Sequence, residues 1–290
     1  MTRDGGDVHI TAAHVLRHTP PGGRAQGREA ALVDIAQDLL LRDLHLVGLM
    51  SELVFKGGTA LRKLYAGNAG RFSLDLDFSV RDIDTRSGDI LDLLEEHVSG
   101  LSIGPFEYGI DRRRTKRHLL MRSQQLGSPE TLSSKLDVSA PPWLEPITRG
   151  WVPMPVHADY GHRALPSLPV VRLEENLAEK ISRLNRATPA RDMYDLRWVA
   201  QNELRRYLDI ALIRRLAVLK IWVDNNGIVS AGGTAWMPAH SGGSFDPDRW
   251  LRVRTAREYD EEGIGSWPFH PRHWHRCPPR SALRTPSSGT

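Results

Sequence analysis

Two aspartates, Asp75 and Asp77, are separated by a single residue in the segment RFSLDLDFSV. Apolar and polar residues alternate from Phe72 to Val80, and this period of two predicts a β-strand whose apolar face is buried. Both carboxylates then lie on the opposite face, about 7 Å apart. Carboxylates in this arrangement suit one or two Mg²⁺ ions, and a pair of metal ions can stabilise the attacking and leaving oxygens of phosphoryl-type transfer. The alternative interpretation is the solvated polar face of an edge strand.

A pair of glycines, Gly57 and Gly58, separates a predicted strand at Leu53–Phe55 from a predicted helix that Thr59 would cap. Glycines between a strand and a helix allow backbone N–H groups to approach a phosphate. The spacing does not match the P-loop pattern. The pair therefore indicates a phosphate site only in combination with the two aspartates that follow it.

A third carboxylate, Asp137, lies on another predicted strand in the segment SSKLDVS. On a strand next to the first two aspartates it would complete the metal site or accept the proton of an attacking hydroxyl. An aspartate at a strand end before a proline turn is an equally good interpretation, so both roles stay open at this level.

Lys180 falls within the apolar stripe of a predicted helix, VRLEENLAEKISRLN, rather than on the opposite side. A lysine on a buried face must find an anionic partner or extend its ammonium group to solvent. A nucleotide phosphate or a neighbouring acid would serve.

Two acids lie on the next predicted helix, in the segment ARDMYDL. Asp192 and Asp195 fall on or beside its apolar face and need cations or hydrogen bonds in turn. Nearby arginines make a purely structural network the alternative: Arg183, Arg186 and Arg191.

The densest basic run, DRRRTKRHLLMRS at 111–123, lies where a hairpin would turn. Its cationic side chains suit contacts with a nucleic-acid backbone. A solvated loop is the alternative. The candidate RNA-binding residues are Arg112, Arg113, Arg114, Lys116 and Arg117.

The chain has 290 residues, an ordinary apolar fraction of 40% and a formal net charge of +4. This balance permits a nucleic-acid partner without requiring one. Cys277 is the single cysteine, which excludes an internal disulfide and indicates a reducing compartment. The first residues lack the apolar core of a signal peptide, and no apolar run is long enough to cross a membrane, so we expect a cytoplasmic protein.

The order of predicted elements indicates an α+β fold in four parts. We expect a loose N-terminal segment at 1–28, a core of small mixed sheet and flanking helices at 29–165, and a helical C-terminal domain at 166–265. The core contains helices at 29–49 and 90–98, strands at 106–110, 118–121 and 132–138, and an irregular proline-rich connector at 141–169. The C-terminal helices are predicted at 171–187, 189–202 and 204–223. Residues 266–290 have no regular period and predict a disordered or atypical tail, where zinc binding by histidines and Cys277 is disfavoured.

Taken in this order, the motifs resemble those of the nucleotidyltransferase toxins of the abortive-infection AbiEii type, which include the mycobacterial MenT toxins. The family pattern is a GG[S/T] turn, an S-x-D-x-D strand, a distant helical lysine and an R/H-D-x-x-D-L helix. The likeness in layout covers residues 30 to 260, and threonine stands where serine is common in the turn. The matching residues are Gly57-Gly58-Thr59, Ser73-Leu74-Asp75-Leu76-Asp77, Lys180, and Arg191-Asp192-Met193-Tyr194-Asp195-Leu196.

The resemblance implies a DNA-polymerase-β-like nucleotidyltransferase core. It also implies Mg²⁺-dependent transfer of a nucleotide from an NTP to the 3′ end of tRNA, which blocks translation and is opposed by a cognate antitoxin. By position, Asp75 and Asp77 would bind metal, with Asp137 a less uniform third ligand, and Lys180 and Asp195 would complete the catalytic set. Nucleotide contacts would come from Lys56, Gly57, Gly58, Thr59, Ser73 and Lys180.

Some relatives in this family are regulated by phosphorylation of the motif serine, which is Ser73 here. A phosphate on Ser73 would set negative charge against the metal-binding carboxylates and inhibit the enzyme. Two other functions stay open. A nucleotidyltransferase of this fold can act on a small molecule or a protein side chain, and a chain that had lost activity would bind GTP or RNA without turnover. The basic run favours RNA, and the retained charged set favours an enzyme.

Overall fold

The computed structural model of this chain describes residues 8–19, 25–113, 116–123, 126, 128–161, 165–185, 190–224, 229–230 and 233–234. In these ranges the α-helices are α1 (Ala12–His18), α2 (Ala25–Leu46), α3 (Gly57–Leu61), α4 (Ser87–Val98), α5 (Leu173–Arg183), α6 (Ala190–Gln201) and α7 (Ile210–Asp224). The strands are β1 (Leu53–Lys56), β2 (Leu76–Val80), β3 (Ser102–Ile103), β4 (Phe106–Arg113), β5 (Lys116–Ser123), β6 (Ser128–Ser139), β7 (Ile147–Arg149), β8 (Leu168–Val170), β9 (Val229–Ser230) and β10 (Gly233–Thr234). No helix in these ranges is both long and apolar enough to cross a bilayer.

Eight strands form one sheet in the order β3-β4-β5-β6-β2-β1-β8-β7. β2 runs parallel to β6 and β1 runs parallel to β8, whereas the other neighbouring pairs are antiparallel. β9 and β10 form a separate two-stranded ribbon. This mixed sheet with flanking helices confirms the predicted α+β class, although the sheet is larger than the small one expected.

α2 is the central helix of the core, and its residues from 31 to 42 are all buried. Burial on every side distinguishes it from a surface helix, which buries only one stripe. Gln37 Nε2 donates hydrogen bonds to the Leu74 carbonyl at 3.1 Å and to Ser134 Oγ at 3.2 Å. α2 thereby fastens the segment before β2 to β6. The helical positions predicted to be apolar are all covered: Leu32, Ile35, Ala36, Leu39 and Leu40.

A cluster of buried charges joins α2 to the helical turn that follows the glycine pair. Arg62 Nε donates to both oxygens of Asp34, at 3.1 and 3.0 Å, and His18 Nε2 lies 2.8 Å from the same carboxylate. Lys63 Nζ donates to Asp34 Oδ1 at 2.9 Å and also to Asp38. The sequence pattern assigns no role to Arg62 and Lys63. In the fold they are buried counter-charges that hold this turn against α2.

Two local predictions near the glycine pair are wrong. The helix begins at Gly57, so Thr59 lies inside it and does not cap it, and the helix continues as a π-helical turn at Arg62–Ala66. β2 begins at Leu76 rather than at Phe72, and Leu74 is exposed. The residues before Leu76 lie outside the paired register of the sheet, so alternation alone overestimates the strand.

Most other predicted elements are confirmed with shifted ends. The helix at 90–98 belongs to α4, the three strands between 101 and 140 are β4 to β6, and the C-terminal helices are α5 to α7. The connector at 141–169 is not wholly irregular, because it contains β7 and most of β8, which continue the sheet beyond β1.

The four-part division of the chain stays a prediction, and two features bear on it. α1 lies within the segment expected to be loose, and its Val15 is fully buried in the core. β8 falls after the boundary drawn at 165 and still pairs with β1 of the sheet. The tail at 266–290, including Cys277, lies outside the described residues.

Candidate active site

Three of the predicted site residues lie side by side across neighbouring strands. Lys56 on β1 is in register with Asp77 on β2, and Asp77 is in register with Asp137 on β6. Residues opposite each other in a sheet project to the same face. The fold therefore brings together Lys56, Asp77 and Asp137, which are as much as 81 positions apart in the printed sequence (137 − 56 = 81).

Asp75 lies immediately before β2 and contacts a residue of α6. Arg191 Nη1 donates to Asp75 Oδ2 at 3.0 Å, and both side chains reach solvent. Burial raises the pKa of Asp77, the negative charges of Asp75 and Asp137 raise it further, and Lys56 lowers it. Asp75 and Asp77 are thus close enough for the charge of one to influence the other, and a cation bound between them would be stabilised by both.

The glycine pair is required by the close approach of this segment to the chain around Asp77. Gly57 has φ of +78°, a conformation that favours glycine, and a Cβ atom there would collide with the Asp77 carboxylate. A Cβ atom on Gly58 would lie 2.8 Å from Arg71 Nη2 and 2.9 Å from Ser73 Oγ. The backbone at 57–58 therefore passes directly beside the groups predicted to bind phosphate and metal.

Neighbouring side chains fix the glycine pair on two sides. Thr59 Oγ1 donates to the Asp75 carbonyl, so threonine in the family motif ties α3 to the segment before β2. Asn176 Nδ2 on α5 donates to the Gly57 carbonyl at 3.2 Å. Lys56 pairs with Glu179 of the same helix at 3.2 Å. α5 thus supports both the turn and the lysine beside Asp77.

Lys180 is buried and its partners are the two acids of α6. Its Nζ atom donates to Asp195 Oδ2 at 2.8 Å and to Asp192 Oδ1 at 3.2 Å. Of the two partners considered for Lys180 from sequence, a neighbouring acid and a nucleotide phosphate, the described residues supply the acid. Arg183 Nη2 adds a second cation to Asp192 at 3.0 Å.

Arg71 is the residue that sequence reasoning missed. Its guanidinium group forms a bidentate pair with Asp195, with Nε–Oδ1 at 2.9 Å and Nη2–Oδ2 at 2.8 Å. Asp195 is therefore held between Lys180 and Arg71, and Arg71 is held over Gly58. The only sequence signal for this role is a basic residue two positions before Ser73, which does not by itself distinguish Arg71 from a surface arginine.

The predicted three-carboxylate metal set is not gathered in this geometry. In the described part of the chain, no three His, Cys, Asp or Glu side chains are grouped so as to hold a metal ion. Asp137 is 52% exposed and pairs with Lys135 at 3.2 Å. Asp75 and Asp77 remain as a pair of carboxylates, which suits Mg²⁺ because this ion commonly takes one or two protein carboxylates and completes its shell with water and substrate phosphates.

The basic hairpin of β4 and β5 is largely paired with acids of α4. Arg112 contacts Glu95 at 2.7 Å and Asp92 at 3.1 Å, and Arg117 contacts the same two acids at 3.0 Å. Arg113 pairs with Asp111 at 2.6 Å. These pairs reduce the positive charge that the hairpin offers to a phosphate backbone. RNA binding at Lys116 and its neighbours stays a prediction, and Arg114 lies outside the described residues.

Ser73, the candidate phosphorylation site, is only 7% exposed. Its hydroxyl faces Gly58, as the close approach at that glycine demonstrates. A kinase needs an accessible hydroxyl, so modification of Ser73 requires the segment before β2 to open. Phosphorylation of this serine stays a prediction.

Replacing Gly57 by alanine tests whether the close approach to Asp77 matters. We expect loss of activity and a fall in the free energy of unfolding of more than about 1 kcal/mol, since the substitution adds both backbone strain and a collision. The matched control is Gly100→Ala, where φ is +74° but nothing lies within 4 Å of the new Cβ. Thermal unfolding of both variants isolates the collision, and equal destabilisation would contradict the argument.

The chain is similar to nucleotidyltransferase toxins along most of its length. A family model described as nucleotidyl transferase AbiEii toxin of a type IV toxin–antitoxin system matches residues 38–262. Among solved structures, MenT4, the nucleotidyltransferase toxin Rv2826c from Mycobacterium tuberculosis H37Rv, is 32% identical. That match covers 94% of this chain and 96% of MenT4, with a TM-score of 0.67.

A second solved structure is less similar. JHP933 from Helicobacter pylori is 17% identical, over 79% of this chain and 96% of its own, with a TM-score of 0.38. No curated protein matches this chain significantly. The family model and MenT4 each cover well over half of the chain. The chain belongs to the AbiEii family of nucleotidyltransferase toxins, which act in type IV toxin–antitoxin systems.

Proposed function

We propose that this protein transfers a nucleotide from an NTP to the 3′ acceptor end of tRNA in the presence of Mg²⁺ and so blocks translation. The observation that supports this best is the placement of Gly57 against Asp77, which sets a backbone able to approach a phosphate beside a pair of carboxylates able to hold a metal. The proposal includes a cytoplasmic location, and an antitoxin as the partner that the family implies.

Different groups of the site would bind the phosphates and the metal ion. The backbone at Gly57 and Gly58, with the Ser73 hydroxyl and the Lys56 ammonium, would bind and orient the phosphates. Asp75 and Asp77 would hold Mg²⁺, and when bound the ion neutralises charge on the phosphates during transfer. Asp137, on the strand next to Asp77, would accept the proton of the acceptor hydroxyl.

Lys180 and Asp195 would contribute to transfer by positioning the Arg71 guanidinium. Lys180 neutralises Asp195 on one side, and Asp195 holds the Arg71 guanidinium over Gly58 on the other. A guanidinium in this place can donate to a phosphate oxygen. Loss of Lys180 would leave two buried acids without their shared cation and would remove the contact that positions Asp195 and, through it, Arg71, so we expect Lys180→Ala to abolish transfer.

The test is incubation of the purified protein with total RNA, Mg²⁺ and each labelled NTP in turn, followed by sequencing of RNA 3′ ends. The proposal expects label on tRNA with at least one NTP, and none with the Lys180→Ala variant. Absence of RNA labelling with all four NTPs would contradict it. The same reactions resolve which NTP and which tRNA are used.

The second candidate is a nucleotidyltransferase that acts on a small molecule or a protein side chain. The pairing of Arg112 and Arg117 with acids of α4 favours it, because those arginines are then poor ligands for an RNA backbone. RNA binding through the hairpin predicts that Arg113→Ala and Lys116→Ala each reduce the salt dependence of tRNA labelling. Unchanged labelling at every salt concentration would favour the second candidate.

Arg191 competes with the metal for Asp75, which gives a prediction with a direct binding readout. Its pair with Asp75 is exposed and has a single hydrogen bond of 3.0 Å, so it contributes about 0–1 kcal/mol. We expect Arg191→Ala to tighten Mn²⁺ binding up to about fivefold, measured from the electron paramagnetic resonance signal of free Mn²⁺. The control is Arg206→Ala, which removes an exposed pair with Glu203 on another part of the chain. Weaker binding in Arg191→Ala would mean that this arginine does not oppose the metal.

A further inference from the structure

A cavity of about 340 Å³ lies beside the candidate active site, and most of its lining residues have no role in that site. Its walls come from α1, from the segment 68–72, from the 3₁₀ turn at Pro155–Tyr160 and from Tyr194 of α6. This volume is at the lower end of the range that small-molecule sites occupy. The cavity is therefore large enough for a ligand of modest size.

The cavity adjoins the candidate active site through shared residues. Arg71 and Tyr194 line it, and both also line a narrow pocket that reaches Gly58 and Asp195. Arg71 is the side chain that Asp195 holds over Gly58. A ligand in the cavity would thus lie next to the residues proposed to bind the triphosphate.

The lining combines cations with aromatic surfaces. Tyr194 is 45% exposed, and Phe72 also lines the cavity. Arg71 has five N–H donors. Its bonds to Asp195 and to the Phe72 carbonyl leave donors on Nη1 and Nη2 for a ligand. Arg17 is well exposed and reaches Asp159 only at 3.3 Å, a weak surface pair that a phosphate can replace.

An aromatic side chain beside cationic donors suits a nucleotide, because the base stacks on the ring and the phosphate pairs with the positive charge. We infer that this cavity binds one nucleotide unit of the acceptor strand, with its base on Tyr194 and its phosphate at Arg17 and Arg71. The inference rests on the proposed function, which supplies an RNA acceptor. It adds the residues that would select and orient the RNA end next to the triphosphate.

The experiment measures binding of a labelled single-stranded RNA oligonucleotide and, separately, of a nucleoside monophosphate to the full chain by fluorescence anisotropy and calorimetry. Tyr194→Ala removes the ring on which the base would stack, so it should weaken oligonucleotide binding about tenfold, and Tyr194→Phe should not. Arg17→Ala should weaken binding and lower the salt slope by about one.

Matched controls are available on the 3₁₀ turn at Glu203–Tyr207. Tyr207→Ala removes a tyrosine that is 83% exposed, and Arg206→Ala removes an arginine in an exposed pair, and neither residue lines the cavity. Both should bind like the wild type. Thermal unfolding of Tyr194→Ala tests its folding, and Arg17→Ala on a different helix keeps the inference testable if that variant is unstable.

The outcomes separate the two sources of a nucleotide. Weaker oligonucleotide binding in Tyr194→Ala and Arg17→Ala supports the acceptor strand. Loss of mononucleotide binding alone keeps the cavity as a nucleotide site but overturns its assignment to the acceptor strand. Unchanged binding of both probes overturns the inference entirely. If the wild type labels tRNA while Tyr194→Ala has an unchanged KM for tRNA, the inference fails and the proposed function stands; if the wild type labels no RNA, the proposed function itself fails.

Discussion

Replacing Asp77 by asparagine is expected to lower nucleotide transfer by roughly a thousandfold, which is the scale of loss when one preorganised electrostatic group is removed from an active site. Asparagine preserves the shape of the side chain beside Gly57 but removes the charge that a metal would need. The measurement is the rate of a single turnover with saturating NTP and tRNA. A residual rate within tenfold of the wild type would contradict the assignment of Asp77 to the metal.

The same substitution should leave the fold intact and even favour it. Asp77 is a partly buried carboxylate near two others, Asp75 and Asp137, so losing its charge removes repulsion. We expect the melting temperature of Asp77→Asn to equal or exceed that of the wild type, which separates lost catalysis from lost structure. The control is Asp82→Asn, the same change at an exposed position just after β2, which should alter neither rate nor stability.

Replacing Asp34 by asparagine is expected to cost about 3–5 kcal/mol of the free energy of unfolding, because it leaves Arg62 and Lys63 buried without their shared counter-charge. The measurement is denaturant unfolding at neutral pH. The control is Asp92→Asn, whose carboxylate also meets two arginines but is 60% exposed, and we expect a loss within about 1 kcal/mol there. Similar losses for both variants would mean that burial does not decide the effect.

The contribution of Asp34 to the free energy of unfolding should decrease as the pH falls. Burial alone would raise the pKa of Asp34, but Lys63, His18 and Arg62 together hold it well below its usual value of 3.8. A carboxyl whose pKa is lowered by folding adds stability above its unfolded pKa and loses that contribution as the pH falls toward its folded pKa. The difference between wild type and Asp34→Asn should therefore be constant near neutrality and shrink below about pH 4. A difference that grows in acid would contradict this.

Some of the site could be predicted because its signals are local. The strand that carries Asp77 follows from the alternation of Leu76, Phe78 and Val80, and all three are fully buried or nearly so. The position of Lys180 within an apolar stripe predicts that a buried Lys180 needs an anionic partner, but not whether that partner is an acid or a nucleotide phosphate. The same local signals fail at two positions. Leu74 belongs to the alternation but precedes the first paired residue of β2. The Thr59 hydroxyl donates to the Asp75 carbonyl instead of capping its own helix.

Periodicity and motif order in the sequence alone determined the α+β class, most of the helices and strands, and the family to which the chain belongs. Only the tertiary structure decided how the charges pair. Arg71 meets Asp195 across 124 positions, and Arg191 meets Asp75 across 116. No local pattern encodes such pairs, because they depend on how α6 is placed against the sheet. The physical reason is that a buried charge loses its hydration and must be paired with another group. The partner is whichever group the fold places within reach, at any distance along the sequence.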